Sequence, residues 1–138
     1  MLPDHVSPGK GNPLKLHHAH DPGRNTFTGY GEGYVMVNGV RHETSVLVMP
    51  EGEVTAWPIR DIRDLDEALV ARLARLDLEV LLIGTGRRLS FPPQQALLPL
   101  VQARIGWEAM DSFAACRTYN ILMAEGRKVA AALILEEA

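Results

Sequence analysis

Gly84-Thr85-Gly86-Arg87-Arg88 follows a short apolar run, Glu79-Val80-Leu81-Leu82-Ile83. Two glycines, a hydroxyl and two guanidiniums at the end of such a run are groups that can receive an anion. Free backbone N–H groups at a strand exit attract oxyanions, and open α/β sheets gather ligands at the carboxyl ends of their strands. The spacing is neither G-x-G-x-x-G nor the GxxxxGK[ST] of a phosphate loop, so a tight strand exit followed by a solvated basic turn accounts for the same residues. A second polar group interrupts the apolar stretch from 110 to 134: Asp111 near its start, then Cys116, Arg117, Thr118, Tyr119 and Asn120. Gly84, Thr85, Gly86, Asp111, Arg117 and Asn120 form the candidate ligand-binding set, for an anion or another small molecule.

Each of these residues also has a purely structural reading. Arg117 and Asn120 are three apart and share one face of a helix. In an apolar helix they must find partners or solvent, because an unpaired buried polar group costs roughly 2–7 kcal/mol. Asp111 suits a helix cap. Cys116, the one cysteine, has Arg117 beside it and an early helical position, which is the setting that lowers a thiol pKa. A nucleophile also needs a base, however, and none of the five histidines is near it in sequence. A small buried hydrophobe is the simpler role. His17-His18-Ala19-His20 could chelate a metal adventitiously, but no Cys pair or Glu stands at a ligand spacing. No catalytic residue, metal or cofactor is assigned.

The elements that must position these groups follow from periodicity. YVMV and VRHETSVLVM flank Asn38-Gly39, a hairpin signal because a type I′ turn needs positive φ at both central residues. Glycines 29, 31 and 33 predict a bent or bulged strand before it, and residues 53–57 a further strand ending at Pro58. Residues 61–76 repeat Ile62, Leu65, Leu69, Leu73 and Leu76 at steps of three and four, an amphipathic helix capped by Asp61 or Asp64. Residues 79–83 read as a strand covered on both faces. The next helix starts at Pro92-Pro93 and runs to about Arg104 before Gly106, with a kink or late start at Pro99. A strand over 107–110 leads to a third helix, capped by Asp111 or Ser112 and ended by Gly126. Residues 128–135 form a last buried strand. Strands alternating with helices predict an α/β fold with a largely parallel or mixed sheet, in which 80–83 and 129–135 are central.

The 138 residues suffice for one domain. Residues 1–14, with three prolines and two glycines, are expected to be a flexible tail and 15–138 one domain. The net charge of −3, from 14 basic and 17 acidic residues fairly evenly spread, leaves no footprint for nucleic acid or an anionic membrane. No apolar run reaches about 18 residues, so membrane insertion is not expected. A single cysteine and an N-terminus without an apolar signal region predict a cytoplasmic location.

Several segments together resemble a known family. AACRTYNILMAEGRKVAAALI is similar to its C-terminal signature, and FTGYGEGYVMVNG, the stretch from Val54 to Ile59 ending in WPI, and LLIGTGRRLSFP occur in the family's order. This is a widespread domain family of unknown function, which includes the mitochondrial respiratory complex I assembly factor 3 and an adipogenesis-associated protein. The resemblance implies a three-layer α/β fold with a central mixed five-stranded sheet, helices on one side and the β-hairpin contributing to the other. It implies no catalytic residues. Two functions remain open: a non-enzymatic module that binds a protein partner in the manner of an assembly factor, or a small-molecule site at the strand ends. The oligomeric state is not readable from the sequence.

Overall fold

The computed structural model describes Leu14–Lys15 and residues 23–136. The expected tail lies outside the described residues except for Leu14, and His17, His18 and His20 lie outside them as well. Two sheets form. The smaller is an antiparallel meander of β1 (Leu14–Lys15), β2 (Phe27–Gly31), β3 (Tyr34–Val37) and β4 (Val40–His42). The larger contains β5 (Val46–Val48), β6 (Thr55–Ala56), β7 (Val80–Gly84), β8 (Gly106–Met110) and β9 (Val129–Leu133) in the order β6-β5-β9-β7-β8. β7 runs parallel to both β8 and β9, whereas β5 is antiparallel to β9 and β6. The sheet is therefore mixed, with β9 at its centre and β7 beside it, as their continuous apolar text predicts.

Asn38 (φ 52°) and Gly39 (φ 81°) make the turn between β3 and β4. The register between β2 and β3 slips between Phe27 and Gly29, the bulge expected from the glycines. The run from Val40 to Met49 is not one strand, however. It breaks after His42, and β5 joins the other sheet, because Val46 and Val48 are buried on its face against β9.

Three α-helices complete the described residues. The periodic segment 61–76 is split. Asp61 caps a single 3-10 turn, Ile62–Asp64, and the chain then extends at Leu65. Asp66, not Asp61 or Asp64, caps α1 (Glu67–Ala74) through the Leu69 N–H. A second acceptor within reach of free helix N–H groups lets the chain restart. Pro99 occupies the first turn of α2 (Leu98–Ala103), the late start its missing N–H requires. α2 stops at Arg104, which adopts the left-handed conformation (φ 59°), while Gly106 opens β8. α3 (Ser112–Ala124) is capped by Asp111. Beyond it, Gly126 and Arg127 donate to the Met123 and Leu122 carbonyls, a Schellman stop.

The helices do not share one side. α1 and α2 bury Val70, Leu73 and Leu100 against Leu81, Ile83, Ala130 and Ala132. α3 buries Ala115, Cys116, Tyr119 and Met123 against Leu82, Ala131 and Leu133 on the opposite face, together with Phe27, Val35 and Val37 of the small sheet. Crossover handedness explains this. The chain steps outward from β7 to β8 through α2 and returns from β8 to β9 through α3. Two right-handed crossovers in opposite directions must lie on opposite faces. The alanines of β9, buried on both sides, let both layers approach.

Candidate functional site: strand ends and the polar face of α3

Because α2 leaves one face and α3 the other, the chain diverges where β7 and β8 end, the position where open α/β sheets hold ligands. Gly84, Thr85, Gly86 and Asp111 all lie there. The Ser112 hydroxyl, buried, donates to the Ile134 carbonyl (2.7 Å) and accepts from the Gly86 N–H (3.0 Å), while the Ser112 N–H returns to the Gly86 carbonyl (2.8 Å). The Thr85 hydroxyl donates to the Arg88 carbonyl (2.6 Å) and accepts from the Ser90 N–H (3.0 Å). The Asp111 carboxylate accepts from the Ala114 N–H. The cavity lined by Gly86, Ser112 and Phe113 is about 10 Å³, room for about one water. Gly86 (φ 107°) turns the chain out of the sheet.

These bonds brace a loop. Its backbone is held from within by Thr85, and beyond it Pro92 is buried. Its outer side chains face solvent: Arg87, which reaches the Glu32 carboxylate at 3.9 Å, and Arg88 are exposed, Leu89 is 53% exposed and Phe91 83%. Leu89, Phe91 and Ser112 escape the sequence reading. A Leu and a Phe near a basic turn look like core until the loop is placed, and Ser112 looks like a helix cap.

Arg117 and Asn120 are not brought to the strand ends. They face β2. The Asn120 amide is buried, accepts from the Phe27 N–H (3.0 Å) and donates to the Phe27 carbonyl (2.8 Å), replacing a strand partner. Exposed Arg117 donates to the Tyr30 hydroxyl (2.6 Å), not to Asp111 or Glu125, and the Tyr30 ring stacks on Phe113 (centroids 4.4 Å). Tyr119 donates to the Asn25 carbonyl and meets the Phe27 ring edge-on at 5.1 Å. The Arg24 guanidinium donates to the Met123 carbonyl at the end of α3. The polar group inside the apolar helix thus spans the small sheet.

Cys116 is fully buried, and burial pushes its thiol well above the ordinary range. The expected result with an excess of an aromatic disulfide reagent at neutral pH is no labelling of the native chain and stoichiometric labelling in denaturant. Fast native labelling would reopen a chemical role for the thiol.

A wider cleft, about 440 Å³, opens at the other end of the sheet between Met49, Leu76, Leu78 and Val129, with Arg127 and Lys128 at its rim. Both rim cations are paired, Arg127 with Glu79 (2.6 Å) and Lys128 with Asp77 (3.0 Å). The Arg127 hydrogen bond holds the Glu79 carboxyl below its usual range.

The fold is similar to that of a Bordetella parapertussis protein of known crystal structure, with 46% identity and a TM-score of 0.78 over 82% of this chain and 97% of that one. It is also similar to a Mth938-like domain of Bordetella pertussis, with 40% identity and a TM-score of 0.73 over 89% of this chain and 93% of that one. Human NADH dehydrogenase [ubiquinone] 1 alpha subcomplex assembly factor 3 is 32% identical over 107 residues, 76% of this chain but 58% of that protein. The 13 kDa major membrane protein of Francisella tularensis is 32% identical over 110 residues, 78% of this chain and 89% of that protein. No helix among the described residues of the present chain is long and apolar enough to cross a membrane. Residues 27–134 match the family described as protein of unknown function (DUF498/DUF598), and with that span covering both sheets from β2 onward and all three helices, the chain belongs to this family.

Proposed function

We propose that the chain is a non-enzymatic protein-binding module of the assembly-factor type, acting in the cytoplasm. The observation that carries this reading is the loop after β7: Phe91, 83% exposed beside Leu89 and two arginines, on a backbone braced by Thr85. An aromatic anchor with neighbouring arginines is the composition of interface hot spots, and a preformed loop lowers the entropic cost of docking. The polar groups support the same reading, since most of their hydrogen bonds hold the fold: among the candidates Asn120 holds the Phe27 backbone, Thr85 the loop and Arg117 the Tyr30 hydroxyl, while Ser112 ties the strand ends. The similarity to a human complex assembly factor adds to it, and a single buried cysteine suits a reducing compartment.

Affinity purification from native lysate, followed by reconstitution with the purified partner, tests the proposal. The expected outcome is a discrete partner whose affinity falls at least about tenfold with Phe91→Ser, the loss of one hot-spot side chain. The thermal midpoint should be unchanged, because Phe91 is exposed. Recovery of background proteins alone, or a partner bound equally by the variant, would defeat this reading.

A further inference from the structure

The wide cleft lies where β7 and β9 begin, at the opposite end of the sheet from the Phe91 loop. Its volume of about 440 Å³ falls among those of small-molecule sites, roughly 300–1,000 Å³. Three connections enclose it: 49–51 after β5, 76–78 between α1 and β7, and 126–128 between α3 and β9. Met49, Leu76 and Leu78 are half-buried at the margin of the core beneath α1 and α2, and with Val129 they make its lining apolar. Both walls are held. The Asn25 side-chain amide donates to the Met49 and Gly52 carbonyls (2.8 and 2.7 Å), and the Asn25 N–H to the Pro50 carbonyl. On the other side, the Schellman stop fixes Gly126 and Arg127, and the Lys128 carbonyl accepts from the Glu79 N–H (2.8 Å). We propose that this cleft binds an amphipathic carboxylate, its apolar body along Met49, Leu76, Leu78 and Val129 and its carboxylate on Arg127 and Lys128.

The pairing of the two cations does not exhaust them. Glu79 takes the Nε–H of Arg127, and Asp77 takes one N–H of the Lys128 ammonium. Both Nη groups of Arg127 and the rest of the ammonium remain as donors. The forked guanidinium edge suits a carboxylate, and charge-assisted bonds to it are the strong kind. The existing pairs are exposed, so sharing their cations with a ligand costs little. The charges lining the cleft choose the sign of the ligand. Arg24, Arg127 and Lys128 stand against Glu51 and Asp77, and Asp77 is already held by Lys128. A cationic amphiphile would therefore meet the wrong excess. A small hydrophilic anion would make no use of the apolar lining, and a neutral apolar molecule no use of the donors. The site is separate from the Phe91 loop and does not depend on the partner proposed there.

Calorimetric titration of the full chain with octanoate, hexanoate and octylammonium, each below its micelle concentration, tests the inference. The expected result is saturable one-to-one binding of octanoate. Hexanoate should bind more weakly, by about fourfold for each methylene removed from the apolar lining. Octylammonium, with the same tail and the opposite charge, should bind at least about tenfold more weakly than octanoate. The double variant Arg127→Gln with Lys128→Gln should weaken octanoate at least about tenfold, the loss of a charge-assisted bond. Its thermal midpoint should stay close to that of the parent, since both ion pairs are exposed. Arg87→Gln, at the other end of the sheet, should leave octanoate binding unchanged. No saturable binding of octanoate at millimolar concentration overturns the proposal. Equal affinity for octylammonium overturns it by showing that the apolar lining acts alone, and binding unaltered in the double variant overturns it by placing the carboxylate elsewhere.

Discussion

Replacing Asn120 by alanine is expected to lower the unfolding free energy by about 2–5 kcal/mol. The side chain is buried and bonds both the N–H and the C=O of Phe27. Its removal leaves two buried backbone groups between α3 and β2 without partners, at roughly 1–3 kcal/mol each. The cavity adds to this, since Phe27 and Tyr119 pack alongside. Urea denaturation measures it. Asn120→Asp separates the two bonds: the carboxylate still accepts from the Phe27 N–H but cannot donate to the carbonyl, so it should be destabilised at neutral pH as well. A loss below about 1 kcal/mol in the alanine variant would mean that water reaches Phe27 and that the amide is not what ties the small sheet to α3.

Gly84→Val should cost about 3 kcal/mol, for a steric reason and not a conformational one. A Cβ at position 84 would stand 2.7 Å from Leu133 Cδ2, 2.7 Å from Ser112 Oγ and 3.0 Å from Ser112 Cα. One of these is backbone at the start of α3, so a rotamer change cannot absorb the overlap, and overpacking at a rigid site is destabilising. Relief requires moving Ser112, whose hydroxyl holds the Gly86 N–H and the Ile134 carbonyl. The same substitution should therefore loosen the Phe91 loop and weaken partner binding, unlike Phe91→Ser, which should weaken binding alone. Denaturant midpoints and binding measured on both variants distinguish the two. If Gly84→Val kept wild-type stability, β7 and α3 could separate without cost, and the strand ends would be a flexible cleft.

Much of the architecture was legible because it depends on residues close in sequence. The β3–β4 turn follows from Asn38-Gly39, the late start of α2 from Pro99 and the end of α3 from Gly126. The burial of β7 and β9 on both faces follows from runs without alternation. The errors have one kind of cause. The run from Val40 to Met49 carries uniform β character, yet its halves enter different sheets, and the choice is made by what each half packs against. The periodic segment 61–76 keeps its apolar stripe through a break, because burial of Ile62 and Leu65 tolerates a 3-10 turn and an extended residue as well as it does a helix.

The candidate site divides in the same way. By itself the sequence determined the residue types, the order of elements and the placing of Gly84, Thr85, Gly86 and Asp111 at the ends of parallel strands. Those follow from local propensity and a strand-helix alternation that admits few topologies. Only the tertiary structure decided what the polar groups touch. Asn120 meets Phe27 across 93 residues and Arg117 meets Tyr30 across 87. Both contacts exist because the return from β8 to β9 puts α3 on the face that the small sheet covers. Hydrogen-bond partners at that separation are set by the handedness and order of crossovers, which no window of neighbouring residues contains.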